Sequence, residues 1–322
     1  MRRAPAAALV LVLSALAAAA EPAAPEKPKT GYQAFLEKGR VLDFPERKWE
    51  QAFTYGSQCY NVRTNTSADV AEYVAVLMDA VHYHYCLRFG IAGTPRGQIC
   101  VFRTREEMAD FAKNACKWTP PDASIGFFTT AGGGTICAIW KELVGQKPET
   151  VLMHEGTHQF VYAVFRSALP VWLNEGFAVY FENSLFDGRN LDVGRVPAGR
   201  LRQLQAQIKA DKHVGLEKLF ATEQKDFGVE CYGSAWAVVY WLAHAGDARE
   251  LKLHEAALGQ FVTDCRRNQK DGKVLAGYLG RASQAALEKE WKEWVLKLDP
   301  QDPYGGTRPA PEKKEAPKPA GS

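Results

Sequence analysis

Beyond residue 20, no part of the chain approaches the roughly 20 apolar residues that a membrane-spanning helix needs, so nothing in its body reads as a transmembrane segment. Charge of one sign is also lacking. The 40 Lys and Arg stand against 37 Asp and Glu, and the basic residues are scattered, with no stripe to suggest nucleic acid as a partner. No internal repeat occurs at solenoid or propeller spacing. Seven cysteines (Cys59, Cys86, Cys100, Cys116, Cys137, Cys231, Cys265) fall into no CxxC or other metal-ligand spacing. An odd number leaves at least one thiol outside any pairing, so they read as staples or as buried apolar residues, with connectivity open.

What is present begins with a leader. Met1-Arg2-Arg3 is a short basic head, and Ala8 to Ala20 is apolar and ends in small residues before Glu21, the pattern of a cleaved secretory signal over 1–20. The expected location is therefore secreted or periplasmic, where disulfides persist. Residues 21–48, rich in Pro, Ala, Glu and Lys in their first part, are expected to be a disordered lead-in, and 301–322 a disordered tail of similar character. One domain over 49–300 remains between them.

The periodicity inside that domain changes part-way. Residues 51–65 read as a strand region, and Thr66 or Ser67 then caps a long helix whose apolar positions recur at three and four and which stops at Gly90. Residues 98–102 read as a strand, a short helix follows from 104 to about 115, and 126–130 and 135–140 read as a hairpin around Gly132-Gly133-Gly134. From Pro148 the pattern is helical, with helices expected at 148–165, 170–182, 198–210, 231–245, 247–264 and 283–297. The expected fold class is α+β: a mixed α/β lobe with a small sheet over 49–165, and a helical lobe over 166–300.

The chemistry sits at the junction. His154-Glu155-Gly156-Thr157-His158 has the HExxH form, and residues four apart share one helix face, so both imidazoles can reach a single ion. Imidazole suits Zn²⁺, and a catalytic zinc keeps three protein ligands with one position open. Glu155 then faces the open side as a general base for the water that such an ion activates. Gly156 and Thr157 are small, leaving room for substrate or for the second helix. In Val171-Trp172-Leu173-Asn174-Glu175-Gly176-Phe177-Ala178, a Glu stands inside an otherwise apolar helix, where a cation would remove the cost of burying it.

His154-Glu155-x-x-His158 with Asn174-Glu175-Gly176-Phe177-Ala178 resembles the gluzincin branch of zinc metallopeptidases. The layout over about 50–300 resembles the peptidase-like domains of unknown function (family 1570) of exported bacterial proteins. The resemblance implies a zincin-like active-site helix, ligation of zinc by His154, His158 and Glu175, and Glu155 as base. It also implies a peptide or protein substrate lying along the strand before the motif helix, here 134–140. Relatives often carry an acid four residues after the ligand Glu; Val179 stands there, and Glu182, with Asn174, is the expected partner orienting the zinc ligands. Where relatives that recognise a free N-terminus keep a Gly-Ala-Met-Glu-Asn-like stretch, this chain has Thr130-Ala131-Gly132-Gly133-Gly134, which favours an endopeptidase. Tyr232 is the favoured oxyanion donor, with His213 as the other candidate, read otherwise as a solvated loop residue. His82 and His84 read as structural, and His244 and His254 as helix-end and surface residues. The rival reading is a zinc-binding fold without turnover that serves as a peptide-binding scaffold; a weaker one is cleavage of a peptidoglycan peptide bridge.

Overall fold

The computed structural model describes residues 44–142, 146–166 and 168–307. The leader expected at 1–20 and most of the lead-in lie outside them. Both flanking expectations need correction where they overlap the described residues. Phe44 is buried and the Arg47 guanidinium lies 4.1 Å from the centre of the Phe53 ring, so the chain packs before residue 49. At the other end, residues 301–307 form turns, Tyr304 is buried, and its carbonyl accepts from the Tyr240 hydroxyl at 2.9 Å. The packed part therefore continues past 300.

Strands β1 (Phe53–Gly56) and β2 (Tyr60–Thr64) pair antiparallel. Helix α1 (Ala68–Phe89) then crosses over to β3 (Gly97–Phe102), parallel to β2, as a parallel pair requires. The Ser67 side chain accepts from the Val70 N–H at 3.2 Å to open α1, and Gly90, at φ 60°, closes it. A capping box at Thr104 starts α2 (Arg105–Phe111), which runs on into a π turn over Ala112–Cys116. The expected hairpin forms from β4 (Gly126–Thr129) and β5 (Thr135–Ile139), and β5 also pairs parallel to β3.

The resulting order is β1-β2-β3-β5-β4. Every residue of β5 is buried: Ile136 and Ala138 face the main core, and Cys137 and Ile139 a smaller one with Phe102 and Met108. The strand expected as a peptide-receiving edge, 134–140, is thus interior. Hairpin pairing puts β4 outside it, so the edge is Gly126–Thr129.

Helices α3 (Pro148–Phe165) and α4 (Val171–Glu182) carry the two motifs. The helical half follows as α5 (Ala198–Lys209), α6 (Leu216–Ala221), α7 (Val229–His244), α8 (Ala248–Arg266), α9 (Val274–Tyr278) and α10 (Gln284–Lys297). The short α6 and α9, and a ribbon of β6 (Leu185–Phe186) with β7 (Leu191–Asp192), were not expected. The fold is α+β.

Two glycines fix the motif helices. A Cβ at Gly156 would meet Met78 and the Tyr85 hydroxyl of α1, and Thr157 is fully buried, bonded to the Met153 carbonyl at 2.9 Å. The small residues of HExxH therefore admit α1, not substrate or α4. On α4, a Cβ at Gly176 would stand 2.6 Å from the Ala235 carbonyl oxygen of α7. Backbone yields less readily than a side-chain end, so Gly176→Ala should cost about 1–3 kcal/mol. A thermal melt showing an unchanged Tm would refute that contact.

Candidate metal centre

His154 and His158, one turn apart on α3, face α4. The Nδ1 of His154 lies 2.6 Å from Glu182 Oε2, and the Nδ1 of His158 lies 3.1 Å from Asn174 Oδ1. Carboxylate and amide oxygens accept, so each contact holds a proton on Nδ1 and turns Nε2 toward Glu175, as a lone pair for a cation or, on His154 without one, as the seat of a second proton. Both Nε2 atoms point at Glu175: its Oε2 is 3.5 Å from that of His154 and 3.6 Å from that of His158. That oxygen is buried and has no hydrogen-bond partner among the described residues.

These spacings fit a shared ion. Bonds of about 2.0–2.1 Å in tetrahedral geometry put ligand atoms about 3.4 Å apart. The three ligand atoms lie within 4.8 Å of one another and form the one such His, Cys, Asp and Glu group among the described residues. With no cation to balance them, the charges adjust. Burial works to lower the His154 pKa, but Glu175 and Glu182 outweigh it and hold the imidazole well above its usual range. For Glu175, burial works upward, while His158, His154 and a hydrogen bond from Gln224 keep the carboxyl below its usual value. A proton on His154 thus stands in for part of the charge a cation would bring.

Glu155, beside His154, lines a cleft of about 710 Å³ together with His158, Asn174 and Glu175. It lines a smaller one as well, of about 230 Å³, together with His154, Glu182, Arg200 and Tyr232. Tyr232, in the first turns of α7, has its ring centre 6.4 Å from that of His154. Burial first, then Glu175, pushes its hydroxyl well above the usual phenol value, so it remains a donor.

The other histidines are elsewhere. His213 is neither solvated nor at the centre: its Nε2 is 3.0 Å from Glu288 Oε1, its side chain is 6% exposed and its ring lies against Trp291. That removes it as an oxyanion donor. His254 is a core residue, fully buried against Trp241, and not a surface one. His244 ends α7 as expected and stacks on Tyr180. His82 is buried beside Tyr60 and Phe160.

Two site residues escaped sequence reasoning. Arg200 Nη2 lies 3.4 Å from Glu182 Oε1, and its guanidinium covers the Tyr232 ring at 5.3 Å. Gln224, on a short 3-10 turn, lines the same cleft as Glu175 and helps to keep its carboxyl below the usual value. An Arg in the first turn of a polar helix and a Gln in a loop carry no local signal that separates them from solvated surface. Val179 is fully buried in the core, and it is Glu182, two turns past Glu175, that reaches His154.

Residues 149–255 match the family model described as Protein of unknown function (DUF1570). The match takes in His154, Glu155, His158, Glu175, Arg200 and Tyr232, and begins after the five-stranded sheet. Its description names no activity. No curated protein matches the chain. Among the described residues, no helix is long and apolar enough to cross a membrane.

Proposed function

We propose that the chain is an exported zinc-dependent peptidase of the gluzincin kind, cutting within peptide chains. The observation that carries this reading is the double anchoring of His154 and His158. With each Nδ1 engaged, both Nε2 atoms converge on the unpartnered Oε2 of buried Glu175. A surface ion pair needs no such arrangement.

Zinc held there would polarise a water molecule and the scissile carbonyl. Glu155, which lines the cleft, accepts the proton of the attacking water and passes it to the leaving amine. The Tyr232 hydroxyl donates to the carbonyl oxygen as negative charge develops on it. Arg200 holds Glu182 and the Tyr232 ring, tying the histidine support to the oxyanion donor. Substrate backbone lies beside the edge strand β4, whose residues line the same cleft.

Metal analysis of the mature chain together with a broad peptide-library digest tests the reading. Stoichiometric zinc and cleavage at internal bonds are the expected result. Zinc without cleavage of any peptide would replace the peptidase by the binding scaffold, and absence of zinc would end both.

A further inference from the structure

The cleft has a chemical direction. From Glu155 and His158 it follows α3 through Val161 and Tyr162 to Arg166, with Leu169 and Phe220 adding apolar surface. Strand β4 accompanies the helix: a Cβ at Gly126 would meet Val151, while the Phe128 ring lies 5.6 Å from that of Tyr162. At the far end Arg166 brings positive charge and also lines a smaller adjoining cavity with Arg96, and Lys270 lines the same cleft. Apart from Glu155 and Glu175, Glu223 is the one acid lining the cleft among the described residues, and it pairs with Lys225 at 3.3 Å.

Arg166 is held in an unusual way. Its backbone sits at φ 57° and ψ −126°, a region that favours glycine. Its guanidinium lies 5.0 Å from the Tyr162 ring centre, which fixes the direction of an otherwise mobile side chain. A helix stop alone would be served better by Gly.

We infer that the cleft takes an extended peptide whose apolar residues lie beside the metal centre and whose carboxylate is gripped by Arg166, with Lys270 on the same cleft. The eight steps from His158 to Arg166 span about 12 Å along the helix, which about three or four extended residues cover at about 3.3 Å each. A planar guanidinium matches a carboxylate by two parallel N–H donors. The carboxylate is a free C-terminus or an Asp or Glu side chain. The inference rests on the peptidase reading for the ligand being a peptide.

Labelled hexapeptides of Phe, Leu and Ala test it by fluorescence anisotropy on the zinc-loaded full chain carrying Glu155→Gln. One peptide ends in a free carboxylate, one in an amide, and one has the amide with Asp near the end. A carboxylate should strengthen binding by about 10-fold, as a charge-assisted hydrogen-bonded pair does, with the advantage shrinking at high salt. Which of the two acidic peptides gains identifies the source of the carboxylate. Adding Arg166→Gln should abolish the advantage, and Arg166→Lys should keep part of it. Arg166→Gly should lose the advantage yet melt no lower than the parent, because the backbone there suits glycine. Equal binding of amide and acid, or an advantage that survives Arg166→Gln, overturns the inference. Cleavage by the unmodified chain with no charge preference would overturn it and leave the peptidase standing; no binding of any peptide would overturn both.

Discussion

Glu155→Gln is expected to keep zinc bound while hydrolysis falls by about 10²–10⁴-fold, the usual contribution of a positioned general base. Glu155 is not among the three residues whose ligand atoms converge; it lines the cleft next to them. Glutamine preserves its size and its acceptor oxygen, so the helix and the centre remain as they are. An amide cannot take a proton from water at neutral pH, and that is the one property removed. Metal content and cleavage, measured on the same preparation, decide the matter. Hydrolysis near the unmodified level with full zinc would show that the proton goes elsewhere.

The second large effect separates holding the ion from orienting its holders. Glu175→Ala removes one of the three proposed ligands and should weaken zinc binding by well over the 10–100-fold that loss of an outer hydrogen-bond partner costs, whereas Glu182→Gln should fall inside that range. Competition against a chelator measures both. Bound zinc also stabilises the fold, by about 2.7 kcal/mol at a hundred times its Kd, so the zinc-dependent rise in Tm should vanish first in Glu175→Ala. The pH dependence has a defined sign. The imidazole of His154 holds its proton well above the usual range in the metal-free chain, and zinc must displace that proton. Zinc uptake at neutral pH therefore releases protons, and affinity rises with pH until His154 no longer carries one. Equal losses for both variants would contradict the assignment of ligand and support.

Much of this was legible because helices are local. The i,i+4 spacing of His154 and His158, the apolar run around Glu175 and the capping residues at Ser67 and Thr104 are all within one or two turns of the residues they affect. Strand order is not local. Which member of the hairpin becomes the edge depends on β5 pairing with β3, more than 30 residues earlier in the chain, and neither hairpin strand carries a local mark of that pairing. The histidines show the same limit: His213 finds Glu288 and His254 finds Trp241 through tertiary packing that no short window contains. Arg200 and Gln224 join the centre across helices and a turn, and no spacing links them to HExxH.

Asn174, Glu175 and Glu182 lie on one helix, so a single rod supplies the third proposed ligand and the supports of both histidines. Gly176 seats that rod against the α7 backbone, and Tyr232 sits in the first turns of α7. A slide of α4 by even one residue would detach the ligand and both supports together, leaving no partly formed centre. The centre should behave as a latch: assembled whole, or not at all.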